Sequence, residues 1–291
     1  MTDMKGLLIG AGALGRNLYS LCISQGILFS AVVEKDTTVP NIPSDVVFND
    51  LQQLPPDISF DFIALCVEDK NIEAIVKDIS ETFQNLSGKY CFHTSGALDS
   101  SILVPLKEKE TFTGSLHPLM TFQKDPLLSS VKDVPFAIEG DPPCQQFLQE
   151  LVILLQGKAV TVPSALKISY HLLGVFASNF MYGLIDGVNT ILAQLNRDGL
   201  NISGENLAPI INQTLRSAFQ SEISNDTISG PVQRKDFNII RRHIIELDAK
   251  FPDQLSLYRE ISLSLAKICH YSENDLRELK TALAITPPLN R

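Results

Sequence analysis

The sequence predicts an α/β chain: a doubly wound parallel sheet in its N-terminal part, followed by an all-α C-terminal part. Three observations predict it. The first apolar run, Lys5-Gly6-Leu7-Leu8-Ile9, ends in Gly10-x-Gly12-x-x-Gly15 and gives way at once to a helical pattern. Up to residue 162, apolar runs alternate with helical segments, the order of strands joined by crossover helices. From Pro163 no strand pattern follows. The boundary is placed there, giving domains 1–163 and 164–291.

The glycine spacing has a physical reading. Gly10 allows a tight turn, Gly12 lets a pyrophosphate approach the backbone, and Gly15 lets the following helix pack on the strand. Ala11, Ala13 and Leu14 complete this phosphate cradle, because a helix start offers free N–H groups and partial positive charge. The second strand, Phe29-Ser30-Ala31-Val32-Val33, ends in Glu34-Lys35. Glu34 lies 19 residues after Gly15, where such folds place an acid on the adenosine ribose. That favours NAD; Lys35 beside it is a cation able to pair with the 2′-phosphate of NADP, so NADP and NAD both stay open.

The remaining strands follow in order. Val46-Val47-Phe48 is short, and Asp61 to Val67 has the continuous apolar character of a central parallel strand. Val67 and Asp69 at its carboxyl end are further candidate cofactor contacts. Ile72 to Phe83 carries a helical period. Lys89 to His93 is the fifth strand; Pro135 to Ile138 and Lys158 to Val162 are two more, with amphipathic Gln145 to Leu155 between them. His93-Thr94-Ser95-Gly96 follows a strand at the edge where open α/β sheets bind ligands. Thr113 to Phe122, with His117, reads as a second His-bearing loop. His93 and His117 are candidate substrate contacts, with structural histidines as the alternative.

In the second half, Ser164 caps a long helix reaching Leu195. Its polar set is unusual: Lys167, His171 and Ser178 fall within roughly 40° of one another at about 100° per residue, with Asn179 one step round and Tyr170 one step back. Polar groups on so apolar a helix need partners if buried. Lys167, His171, Asn179 and, across the sheet edge, Ser95 are the candidate catalytic residues; Ser178 is a candidate substrate contact. Helical segments follow at Glu205–Ile223, Arg234–Ala249, Pro252–His270 and Glu273–Ala284. In Gly230-Pro231-Val232-Gln233-Arg234-Lys235-Asp236, Asp236 stands near a helix start, where its charge is favourable. Arg234 and Asp236 are also candidate substrate contacts.

Composition narrows the field. The chain has 291 residues, 44% hydrophobic and 20% charged, with a net charge of −9. No basic tract exists to neutralise phosphates, so a nucleic-acid role is disfavoured. Its five cysteines form no C-x-x-C pair, so neither a disulfide framework nor a metal site is expected, and buried thiols in a reducing, cytoplasmic setting are. The first strand begins within five residues, leaving no room for a leader. The longest apolar stretch, Leu172 to Ile185, is too short to span a bilayer, so no membrane role is expected.

Taken together, these motifs make the chain resemble the Rossmann-like proteins known as the DUF2520 family, relatives of the pyrroline-5-carboxylate reductases and β-hydroxyacid dehydrogenases. The resemblance rests on Gly10-x-Gly12-x-x-Gly15, Asp69, His93-Thr94-Ser95-Gly96-Ala97 and Gly114-x-x-His117-Pro118-Leu119-x-x-Phe122. It continues in Tyr170-His171, Ser178-Asn179 and Gly230-Pro231-x-x-Arg234-x-Asp236 with His243. It implies a Rossmann domain followed by a helical domain like the C-terminal part of 6-phosphogluconate dehydrogenase, NADP-dependent oxidoreduction, and a homodimer. Some members resemble an alternative ketopantoate reductase of pantothenate synthesis. Glu34 departs from the Ser or Arg of many relatives. In the β-hydroxyacid dehydrogenases a helix lysine is the acid/base with an asparagine four residues on; here that position is His171, so Lys167, His171 and Asn179 stay open.

Two functions fit. The first is an NAD(P)H-dependent reductase of a small 2-keto acid such as ketopantoate, with a cyclic imine such as pyrroline-5-carboxylate as the other substrate class. The second is a dinucleotide-binding sensor module without turnover.

Overall fold

The computed structural model describes residues 4–35, 39–123, 130–220 and 222–284. Its eight-stranded sheet runs β1 (Lys5–Ile9), β2 (Leu28–Val33), β3 (Val47–Phe48), β4 (Phe62–Leu65), β5 (Tyr90–His93), β6 (Phe112–Pro118), β7 (Pro135–Gly140) and β8 (Lys158–Thr161). The spatial order is β3-β2-β1-β4-β5-β6-β7-β8. All neighbours are parallel except β6 and β7, which are antiparallel. The order turns back between β1 and β4, the switch point where doubly wound sheets bind their ligands.

Both faces are covered, which is why the central strands are apolar throughout. One face carries Leu8, Val32, Phe62, Ala64, Phe92 and Ile138 against α1 (Ala13–Ser24) and α4 (Pro142–Leu154). The other carries Leu7, Ile9, Ile63, Leu65 and Cys91 against α2 (Asp69–Thr82) and α3 (Val104–Lys107).

One expectation is corrected. The second His-bearing segment is not a loop: most of it is β6, paired on both sides. Its glycine and proline read as a turn, but Gly114 sits inside the ladder and Pro118 is the last strand residue, where a missing N–H costs least.

The chain divides into two compact units, 1–180 and 181–291. The change of texture at residue 163 marks the end of the strands, but the first unit runs on to Phe180 and takes in a 3-10 turn (Ser164–Leu166), α5 (Lys167–Gly174) and a π turn (Val175–Asn179). The 100° periodicity that aligns Lys167 with Ser178 stops at this wider turn. Such turns recur at functional sites.

Helical residues continue through α6 (Phe180–Arg197) without a break from Ser164. By length and composition that helix of 34 residues passes as a membrane span, longer than the apolar stretch legible in the sequence. The second unit adds α7 (Ala208–Gln220), α8 (Phe237–Lys250), α9 (Leu255–Ile268) and α10 (Glu273–Ala284). Its core is Val232, Ile240, Ile244, Ala266, Leu279, Ala282 and Leu283.

Candidate active site

The glycine turn is built as its spacing requires. Gly10 has φ +93°, and a Cβ there would meet Cys66 O at 2.5 Å and Val67 Cγ1 at 2.7 Å. A Cβ on Gly15 would collide with the Gly10 carbonyl, whereas one on Gly12 meets nothing within 4 Å. Gly12 caps α1 without any side-chain hydrogen bond, and the first turn, with Ala13 and Leu14, holds no acid. The first N–H groups of the helix therefore remain available to an anion. Glu34 closes the turn from β2: Oε2 accepts the Ala11 N–H at 2.6 Å and Oε1 the Lys35 N–H at 2.8 Å. Lys35 is exposed.

A second cluster lies across the other half of the sheet. Register puts Leu65, His93, Ser115 and Glu139 side by side on β4, β5, β6 and β7. Paired residues share a face, so one row passes from apolar to polar. His93 is 0% exposed. Its Nε2 lies 3.0 Å from the Asp99 carbonyl, and its Nδ1 accepts the Ser95 N–H at 3.2 Å. A carbonyl only accepts, so Nε2 carries the proton and the ring is neutral. Burial agrees, pushing His93 down to about 4.

Lys167, 1% exposed, reaches this row from α5. Its Nζ donates to the Ser95 carbonyl at 3.2 Å and to Ser115 Oγ at 2.8 Å. An ammonium has three donors, so one has no partner among the described residues. Burial lowers the Lys167 ammonium from its ordinary value, while Glu139, Asp99 and Asp69 oppose the shift. Beside it stand His117, Tyr170 and His171. The His117 ring lies 6.0 Å from each of the other two rings. Nδ1 of His117, Nδ1 of His171 and the Tyr170 hydroxyl are buried with no hydrogen-bond partner among the described residues. Each such group costs about 1–3 kcal/mol. His117 is also pushed down to about 4, by burial first and then by Lys167 and His171. Gly96 roofs the cluster: a Cβ there would meet His171 Nδ1 at 2.7 Å and His117 Nε2 at 2.8 Å.

The structure thus brings Lys167, His117, His171 and the Ser95–Gly96 turn together. His93 is a correction: with no exposed surface and both nitrogens tied to backbone, it shapes the turn and cannot meet a substrate. The Ser95 hydroxyl is spent likewise, donating to Asp69 Oδ2 at 2.9 Å and accepting the Ala97 and Leu98 N–H groups; only its carbonyl serves Lys167. Asp69 opens α2 and anchors Ser95. Ser178 shares a hydrogen bond with Thr121 at 2.9 Å, and Asn179 is exposed. Neither has a hydrogen bond to Lys167.

Arg234 and Asp236 belong to the second unit. Arg234 is exposed, and Asp236 Oδ1 caps α8 by accepting the Ile239 N–H at 3.1 Å, which accounts for its position. His243 there bonds Tyr258 at 2.8 Å beside an apolar cavity of about 380 Å³. Among the described residues no three His, Cys, Asp or Glu side chains gather where they could hold a metal ion.

Sequence reasoning missed Glu139 and the role of Ser115. The signal was a lone carboxylate closing the apolar run Pro135-Phe136-Ala137-Ile138.

Residues 134–265, from β7 into α9, match the family model described as a domain of unknown function, DUF2520. Glu139, Lys167, Tyr170 and His171 all lie within the matched residues. A comparison with curated proteins finds no match. Among solved structures, a candidate NADP oxidoreductase from Bacteroides fragilis is 22% identical, with TM-score 0.77 over 91% of this chain and 99% of that one. A reductive aminase from Aspergillus terreus, in complex with NADPH, is 14% identical with TM-score 0.57, covering 96% and 92%. A pyrroline carboxylate reductase from Plasmodium falciparum with NADP bound is 12% identical with TM-score 0.56, covering 98% and 100%. The chain shares its fold with these three structures.

Proposed function

We propose that the chain is an NAD(P)H-dependent reductase of a small 2-keto acid, with ketopantoate as the specific candidate. One observation carries this reading. A buried lysine with one unassigned proton stands beside three buried polar atoms that have no partner among the described residues, at the carboxyl edge of a dinucleotide-type sheet. Unpaired buried polar groups call for a partner, and a bound substrate would supply one here.

The cofactor fits the glycine turn. Gly12 leaves open the space a pyrophosphate needs, the uncapped α1 N-terminus supplies donors, and Glu34 stands where a ribose is read. When bound, the reduced nicotinamide supplies the hydride. The residues of the chain do the rest. Lys167 donates its third proton to the carbonyl oxygen as negative charge builds there. The Tyr170 hydroxyl, the neutral ring of His117 and the His171 imidazole orient the carbonyl and carboxylate. A buried ammonium also selects charge: it attracts a keto acid and repels a protonated cyclic imine. That favours the keto acid, although two of the similar structures are an aminase and a pyrroline carboxylate reductase.

The same reading takes the enzyme as cytoplasmic, on its five free cysteines. It takes the active form as a homodimer, on exposed apolar side chains such as Phe176, Ile210 and Phe219.

The test follows NADPH and NADH absorbance with 2-keto acids, ketopantoate included, and with cyclic imines. Keto-acid turnover is expected, and Lys167→Met should lower kcat by about 10³ while cofactor binding persists. Cofactor binding without turnover of any candidate would favour the sensor module.

A further inference from the structure

Lys167 has a buried carboxylate behind it that its role as proton donor leaves unexplained. Glu139 is the only charged residue of β7, and it is buried. All four of its hydrogen bonds come from donors: Oε2 accepts the Ser100 N–H at 2.8 Å and Ser115 Oγ at 3.2 Å, while Oε1 accepts Ser100 Oγ at 2.8 Å and Ser164 Oγ at 2.9 Å. Two of these partners concern Lys167. Ser164 opens the turn that leads into α5, so it sits at the root of the lysine. Ser115, opposite Glu139 in the antiparallel ladder, touches the lysine tip.

We infer that Glu139 is a positioning residue: through Ser164 and Ser115 it fixes both ends of Lys167 and restricts proton exchange to the one Nζ position that faces the site. This inference rests on the reductase reading only in giving that proton a use. The chemistry follows from counting protons. A hydroxyl has one, and Ser115 gives its proton to Glu139, so it offers Lys167 only lone pairs. The Ser95 carbonyl likewise only accepts. Nζ must therefore donate to both anchors whether it is charged or neutral. As an ammonium it turns a third N–H to the site; as an amine it turns a lone pair there. The proton leaves and returns at that position without breaking either anchor. Glu139 also supplies negative charge that favours the ammonium, together with Asp69 on α2 and Asp99 after β5. The other titratable groups facing Lys167 are His93 on β5 and His117 on β6, with His171 on its own helix.

The test compares wild type with Glu139→Gln and Ser115→Ala in the full-length protein. Uniform ¹³C-lysine labelling, with the Lys167 signal assigned by its loss in Lys167→Met, reads the lysine titration without any turnover. Both variants should titrate at lower pH than wild type, Glu139→Gln by about one unit. The alkaline limb of kcat should move with it, with about a tenfold loss on that limb, above both titrations, and Ser115→Thr should restore the wild-type profile. A folded variant with an unchanged Lys167 titration, losing only thermal stability and kcat at all pH values, would overturn the inference. If Glu139→Gln does not fold, Ser115→Ala decides. If Lys167→Met still reduces substrate while the titration moves as expected, the positioning inference stands and the reductase mechanism through Lys167 falls.

Discussion

His93 and His117 occupy matching places on neighbouring strands. Each sits at the carboxyl end of a strand, on neighbours β5 and β6, and burial pushes both to about 4. They differ in where their nitrogens go. Both ring nitrogens of His93 are matched to backbone groups within its own turn. Nδ1 of His117 is buried and has no match among the described residues. A depressed pKa therefore reports burial, not role; the role is read from which hydrogen bonds the chain leaves unmade.

The comparison breaks most sharply if His93 is truncated. His93→Ala leaves the Ser95 N–H and the Asp99 carbonyl unpaired and opens a void, at a cost of about 3 kcal/mol. Urea unfolding should show this as a lower midpoint, with kcat of the folded fraction changed only a few-fold. A variant as stable as wild type but inactive would make His93 a second site histidine after all.

Acid gives a matching test. The folded form holds His93 neutral to about 4, against 6.5 for an unperturbed imidazole, so the unfolded chain binds the proton first. The stability this contributes is complete above about pH 6.5 and is lost as pH falls towards 4, on the order of 3 kcal/mol for His93. His93→Gln should flatten that part of the stability–pH curve; an undiminished slope would mean that other groups carry it.

His117 should answer in activity instead. His117→Asn keeps a polar group without the ring and should lower kcat/KM by about thirtyfold, near 2 kcal/mol, with unfolding changed by less than 1 kcal/mol. Gly96→Ala reaches the same ring from outside, since its Cβ would press on His117 and His171. A similar loss is expected. If both variants keep full activity, the unpartnered nitrogens have no substrate to meet.

These two histidines also show how much was legible beforehand. The glycine turn, the alternation of strands and helices and the helical second half were readable because each rests on local spacing. Lys167 stood out as a lysine on an apolar helix. What could not be read was pairing across strands. Ser115 and Glu139 are 24 residues apart, and only the antiparallel register of β6 and β7, hidden by a strand that reads as a loop, sets them face to face. The π turn after Gly174 likewise breaks the angle count that grouped Ser178 and Asn179 with Lys167. Asp236 was the reverse case: its local helix-capping role, legible at once, is the one the structure shows.

Glu34 sharpens the comparison from the cofactor side. Like His93 it is matched by the chain, its two oxygens taking the Ala11 and Lys35 N–H groups. Unlike His93 it is only half-buried, and a carboxylate has about four acceptor positions, so it retains capacity for ribose hydroxyls. A 2′-phosphate brought to the same place would meet negative charge, with exposed Lys35 the nearest compensation in sequence. Glu34→Ser removes the repulsion and should shift the NADPH-to-NADH ratio of kcat/KM upward by about tenfold, or 1.4 kcal/mol. The turn loses one hydrogen bond at the same time, so both cofactors should bind somewhat more weakly. Isothermal titration with each cofactor separates the two effects. A uniform loss with an unchanged ratio would make Glu34 a clamp on the glycine turn and nothing more, as His93 is on its own.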